Sequence, residues 1–150
     1  LHWLATHPEA ADALREADDD PFDRAVDEIL RIDDPFVSNR RAATRPTHLG
    51  GQPIGAGDKL VVNWTEANRD PAVFGDPDAY DPDGNAAANL VYGAGPHICP
   101  GRPLATLELR VLLRAVLAGH RVRLDPDSEP EREQPPVGGF RHVRVLLEPR

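Results

Sequence analysis

Apolar residues recur at helical spacing in three stretches of the chain. Residues 8–17 read as a short helix, with Pro8 suited to the first helical position and Glu9 favourable beside the N-terminus. A second helix is predicted from Asp20 to Arg31: Asp20 caps it, Pro21 opens it, and Val26, Ile29 and Leu30 give it an apolar face. The strongest helix runs from Pro103 to Ala118 and is closed by Gly119. Thr106, Arg110 and Arg114 form one stripe on it while most other positions are apolar, which predicts a largely buried helix. From Arg41 to Trp64 the pattern shifts to short strands punctuated by Gly50-Gly51 and Gly55-Ala56-Gly57, with Lys59–Val62 the most strand-like. Residues 70–90 keep no period, and irregular stretches of that length are often functional. Two more strands are predicted near Arg121–Leu124 and Arg141–Leu147, and Leu1–Ala5 reads as the tail of a helix. The sum is one mixed domain, mainly α with small β-sheets at its side.

Composition narrows the function classes. The 150 residues include 17 Lys or Arg and 25 Asp or Glu, a net charge of −8, which argues against a nucleic-acid binder. Much of the acid lies between Glu9 and Asp34, a pattern typical of a solvated face. No apolar run approaches the roughly 18 residues of a membrane span, and the start is not secretory, so no membrane partner is expected and the cytoplasm is the default location. The single cysteine, Cys99, excludes a disulfide framework and a multi-cysteine zinc site. The chain contains no methionine and begins with Leu1, so it reads as the C-terminal part of something longer.

Chemistry concentrates in Tyr92-Gly93-Ala94-Gly95-Pro96-His97-Ile98-Cys99-Pro100-Gly101. Three glycines let this backbone turn sharply and approach a flat ligand closely. Pro100 biases Cys99 away from helical geometry. The amides opening the next helix place positive partial charge near the sulfur, which suits a thiolate bound to a metal from one side. A structural free cysteine and a nucleophile paired with His97 are the competing readings. Zinc fails for want of ligands, and the dinucleotide fingerprint fails because its third glycine positions hold Ile98 and Leu60.

This window resembles the haem-thiolate signature of the cytochrome P450 family. Tyr92 stands where that family usually has Phe, and Gly95, His97, Cys99 and Gly101 fit. Other elements follow in family order: Glu28-Ile29-Leu30-Arg31 resembles the Glu-x-x-Arg helix, and Asp34-Pro35 and Arg41 come next. Ala67-Asn68-Arg69-Asp70-Pro71, the meander-like Asp76–Pro82, and Leu104-Ala105 with Glu108 complete the series. The resemblance covers essentially the whole chain. It implies that residues 1–150 are the C-terminal haem-binding portion of a single cytochrome P450 domain, with the N-terminal portion absent, so that the chain by itself is expected to expose a large apolar patch and to be unstable or aggregate.

The same resemblance implies a monooxygenase that inserts one oxygen atom from O2 into a small organic substrate. The cofactor would be haem b, with Cys99 as axial iron ligand. The haem contacts would be Tyr92, Gly93, His97, Pro100, Gly101, Ala105 and Arg41, with Arg40 the alternative to Arg41; His97 and Arg41 would anchor propionates. Glu28 and Arg31 would be structural. Substrate contacts would come from Val37 and Ser38 and from Gly139 and Phe140. The alternative is a truncated, inactive remnant that binds haem weakly or not at all. Electrons would come from a ferredoxin-like or other external donor, because no flavin or iron–sulfur motif is present. Arg102, Arg110, Arg114, Arg121 and Arg123, against the single acid Glu108, form a candidate basic docking patch in an otherwise acidic chain. Two departures stand out. Gly84 occupies the meander position of a family Arg that joins the Glu/Arg pair, so Glu28 and Arg31 are expected to be less well satisfied. Thr106 replaces a common Arg, with little consequence expected.

Overall fold

Three helices meet through the apolar stripes that their spacing predicts. In a computed structural model describing residues 1–150, α1 (His2–Thr6) runs directly into α2 (Pro8–Glu16), and α3 (Asp19–Ile32) follows. After the central strands and two short helices, α4 (Trp64–Ala67) and α5 (Pro71–Phe74), comes α6 (Arg102–Gly119). The buried core joins Trp3 and Leu4 of α1, Leu14 of α2, Phe22 and Val26 of α3, and Leu113 and Leu117 of α6. Arg15 locks the assembly by donating to the carbonyls of Leu117 at 2.9 Å and His120 at 3.1 Å. A cation thus sits at the negative end of the α6 dipole.

Four two-stranded antiparallel sheets flank the helices. β1 (Ser38–Ala42) pairs with β4 (Lys59–Asn63), and β2 (Thr47–Leu49) turns back into β3 (Gln52–Ile54). Gly50 and Gly51 make that turn with φ of 54° and 81°, a conformation only glycine adopts without strain at both central positions. β5 (His120–Leu124) pairs with β8 (Val145–Pro149), and β6 (Glu131–Arg132) with β7 (Phe140–His142).

Four expectations need correction. Asp20 and Pro21 lie inside the first turn of α3, which starts at Asp19 and has no side-chain cap, so they neither cap nor open it. The strand predicted over Arg141–Leu147 is two strands with different partners, because the Arg144 carbonyl leaves the ladder to accept from Asp125 N–H at 3.1 Å. The strand predicted up to Trp64 ends one residue earlier, where Asn63 caps α4 by accepting from Glu66 N–H. The larger correction concerns α6. Only Leu113 and Leu117 are buried there, while Leu104 and Val111 are each 60% exposed and Leu107 and Leu112 are exposed beside them. One stripe of the helix packs on α2 and α3, and the opposite stripe has no protein against it. The surface area confirms this openness: 9652 Å², where a compact monomer of this mass exposes about 7,500 Å². No helix is long and apolar enough to cross a membrane.

Candidate functional site

The best-anchored part of the molecule lies beside the cysteine loop rather than in it. Glu28 and Arg31, one turn apart on α3, are 1% and 0% exposed. Arg31 Nε donates to Glu28 Oε2 at 2.8 Å and Nη2 to Oε1 at 2.9 Å. The remaining guanidinium protons go to the carbonyls of Asn68, Pro77 and Ala79, and the Phe74 ring lies under the cation at 4.7 Å. Glu28 Oε1 also accepts from Asp81 N–H at 3.2 Å and from Asn85 Nδ2 at 2.7 Å. The expected shortfall at Gly84 is therefore overturned. Asn85, the next residue, supplies the missing donor, and every polar group of the pair is matched as a buried ion pair requires. Gly84 itself serves the turn: a Cβ there would collide with the Asp81 carboxylate, which accepts Gly84 N–H at 2.9 Å.

This rigid centre hands its order to the loop through asparagines. Asn68, buried, accepts from Leu90 N–H at 2.7 Å. Asn89 accepts from Val91 N–H at 2.9 Å and donates to the Asp27 carbonyl at 2.9 Å. The loop then folds on itself. Gly93 and Gly95 both take φ of 71°, Gly95–His97 forms a single 3₁₀ turn, and Cys99 N–H donates to the Tyr92 carbonyl at 2.9 Å. Trp64 packs against Gly93 and is held by its own donation to Asn39 Oδ1 at 2.7 Å. Trp64, Asn68, Asn85 and Asn89 are functional supports that the sequence reading missed. The two amides at 85 and 89, one helical turn apart among alanines, were the available signal.

Cys99 ends up exposed, three residues before α6, with Gly101 close enough that a Cβ there would lie 3.8 Å from Sγ. The Gly101 amide makes no hydrogen bond within the protein, and Pro100 has none to offer. Ala105 is half-buried one turn into α6, and Ile98 and Leu104 give exposed apolar surface around the loop. Nowhere do three or more His, Cys, Asp or Glu side chains gather to hold a metal. A metal on this sulfur therefore finds fewer than three such side chains, and a flat macrocycle that carries its own donor atoms and lies against an apolar face suits the site. The residues present fit a haem.

The remaining candidates lie around this centre. Arg41, on β1 opposite Leu60, is exposed, and its guanidinium donates only to the neighbouring Arg40 carbonyl at 3.0 Å. His97 is exposed in the 3₁₀ turn. The Val37 and Phe140 segments do come together: Phe36 bridges to Val137, Val37 N–H donates to the Pro136 carbonyl at 3.0 Å, and Gly138 N–H to that of Pro35 at 3.1 Å. Val37 and Gly139 line a cavity of about 630 Å³ that is otherwise rich in charge, including Asp33, Arg69 and Arg132. Ser38 and Phe140 do not line it. Phe140 is instead held between His2, 4.2 Å away, and the Arg132 guanidinium at 4.1 Å.

Residues 22–146 match the sequence profile of the family described as Cytochrome P450. The chain belongs to the cytochrome P450 family. It is 40% identical to the erythromycin C-12 hydroxylase of Saccharopolyspora erythraea over 97% of its length and 38% of that protein's. It is 32% identical to the linalool 8-monooxygenase of Pseudomonas putida over 98% of its length and 36% of that protein's. Among solved structures, a cytochrome P450 from Novosphingobium aromaticivorans superposes with a TM-score of 0.83 at 39% identity, over 98% of this chain and 37% of the other. The chain thus spans little more than a third of these relatives, and its helices and small sheets are that part of the cytochrome P450 fold.

The five-arginine patch does not survive inspection of the structure. Arg102 pairs with Asp27 at 2.9 Å, Arg110 with Asp19 and Asp23 at 3.1 Å each, Arg114 with Asp19 at 3.0 Å, and Arg123 with Glu148 at 2.9 Å. Three of these arginines dock α6 on the acidic face of α3, so two apparently separate charge runs cancel in space. Only Arg121 has no carboxylate partner. Thr106, which replaces a common Arg, lies beside the Tyr92 hydroxyl.

Proposed function

We propose that these residues form the thiolate side of the haem site of a monooxygenase, with Cys99 as axial iron ligand and haem b as cofactor. The single observation that carries this reading is the exposed Cys99 sulfur, set on a glycine-rich turn beside an apolar helix stripe. When bound, such a haem supplies oxygen activation, which the electron-rich thiolate favours. The chain's own contribution is placement. The Tyr92 carbonyl fixes the Cys99 amide, and the free Gly101 N–H is the donor nearest to tune the thiolate. Arg41 and His97 are exposed cationic or hydrogen-bonding groups for the propionates. Val37 borders the space for a small organic substrate, and Ser38 and Phe140, which do not line it, are not among the proposed contacts. Electrons come from an external protein donor.

The test is the reduced, carbon-monoxide difference spectrum of the haem-loaded protein beside Cys99→Ser. A red-shifted thiolate Soret band that disappears in the variant is expected. A band that survives the substitution overturns Cys99 as ligand. No band in either protein favours the inactive-remnant reading.

A further inference from the structure

Asp27 is the residue at which both flanks of the cysteine loop meet α3. Its backbone carbonyl accepts from Asn89 Nδ2 at 2.9 Å on the upstream side. Its carboxylate Oδ2 accepts from Arg102 Nη2 at 2.9 Å on the downstream side. The Arg102 guanidinium in turn covers the Tyr92 ring at 5.1 Å, and Tyr92 holds the Cys99 amide through its carbonyl. Asp27 Oδ1 and Tyr92 Oη are both buried here, the phenol facing the carboxylate without a well-formed hydrogen bond. Their residues, with Arg24, Asn89, Gly93 and Arg102, line an enclosed cavity of about 70 Å³ between α3 and the loop. Such a space is large enough for one bridging water.

We infer that Asp27 is the positioning residue of the cysteine loop, clamping residues 89–102 to α3 and so fixing where the Cys99 sulfur sits. α3 is the right reference for such a clamp, because the neighbouring Glu28 and Arg31 make it the most thoroughly bonded element of the chain. A site held on a rigid helix keeps its geometry better than one left to a loop. Stability alone gives no reason for the arrangement. Burial, opposed by Arg102, holds the Asp27 carboxyl above the usual carboxylate range, so its ionised form is disfavoured by the fold. A buried charge kept at such a cost points to placement rather than to strength.

The relevance of that sulfur to haem rests on the function proposed above, whereas the clamp is testable without haem. In the gene product that carries this chain, prepared without cofactor, the rate of Cys99 alkylation by iodoacetamide reports loop opening. Asp27→Asn should speed alkylation about fivefold, as expected for losing one ion pair across an opening equilibrium, without lowering the thermal midpoint. Arg102→Gln should do the same from the other end. Asp19→Asn removes α3–α6 ion pairs away from the loop and should leave alkylation unchanged. Unaltered alkylation in both Asp27→Asn and Arg102→Gln overturns the clamp, and so does an equal rise in Asp19→Asn. Should Asp27→Asn fold poorly, Arg102→Gln alone must still raise the rate or the clamp is refuted. With haem added, Asp27→Asn should broaden or blue-shift the thiolate band that Cys99→Ser abolishes. Insensitivity of the band to Cys99→Ser would refute the haem reading and leave the alkylation result standing.

Discussion

The side-chain amide of Asn85 donates to Glu28 Oε1 at 2.7 Å, across 57 residues of sequence. That bond completes the shell around a carboxylate and a guanidinium from which water is excluded. It also supplies, within one residue, the donor that the family resemblance leads one to expect from an arginine at position 84.

Breaking this cluster from either side should unfold the chain rather than weaken one contact. Glu28→Gln leaves Arg31 buried without a counter-charge and is expected to lose about 3–5 kcal/mol of stability. Asn85→Ala removes one hydrogen bond to a charged group, so about 1.5–3 kcal/mol is expected. Urea unfolding curves of the two variants check the ranking; an Asn85→Ala protein as stable as wild type would mean that the amide is incidental.

Restoring the family's arginine by Gly84→Arg should not help. The new Cβ meets the Asp81 carboxylate and breaks the turn that it closes with Gly84 N–H, while Asn85 already occupies the Glu28 oxygen. A loss of about 1 kcal/mol is expected for the broken turn bond. A rise in the unfolding midpoint would show that the turn can relax and that the pair had been under-satisfied.

Charge reversal on α6 separates docking within the protein from docking of a partner. Arg110→Glu places a third carboxylate beside Asp19 and Asp23 and should lower stability by about 1 kcal/mol, recoverable in part at high salt. Arg121→Glu, on the one arginine of the five without a carboxylate partner, should leave stability within about 0.5 kcal/mol. Equal effects of the two on the unfolding midpoint would refute the ion-pair account of α3–α6 packing.

Much of this was legible in the sequence because it is local. Pro8 and Pro103 mark helix starts, and the glycines around Cys99 mark a turn that no other residue type makes so readily. The Glu28/Arg31 spacing and the Cys99 window are likewise contiguous, so a short stretch suffices to read them. What escaped is long-range. Arg110 and Asp23 lie far apart in sequence, so a basic run and an acidic run looked like two surfaces instead of one interface. Asn85 and Asn89 gave no periodic signal, because their role depends on which carbonyls and carboxylates the α3 backbone brings beside them. An exposed apolar patch was expected, but its place on α6 escaped for a related reason: an apolar stripe says that something covers it, not that the cover lies within the same 150 residues.

Alkaline pH should act through two phenols. Burial, reinforced by Glu28 and Asp83, pushes Tyr80 from 10.0 to about 12, and burial also raises Tyr92. The native state therefore keeps protons that the unfolded chain releases, so stability is fully present below about pH 10 and falls as pH rises toward about 12. The chain has only these two tyrosines, so the ultraviolet tyrosinate titration reads both without background. Ionisation of either near the ordinary value in folded protein would contradict the burial that sets these shifts.

The uncovered stripe of α6 makes the last expectation. Leu104, Leu107, Val111 and Leu112 lie exposed on a chain whose surface exceeds that of a compact monomer by roughly a quarter. An apolar patch of that kind seeks a partner, so the chain by itself should bind an apolar fluorescent dye and self-associate with rising concentration. Leu107→Lys with Val111→Lys should suppress both effects while leaving the unfolding midpoint in place, because neither side chain is buried in the core that Leu113 and Leu117 form with α2 and α3. Sedimentation velocity with dye titration decides it. A wild-type chain that stays monomeric, binds no dye and unfolds cooperatively would show that the stripe is tolerated in water; association suppressed by the two lysines would mark it as the surface that the rest of a cytochrome P450 fold has to cover.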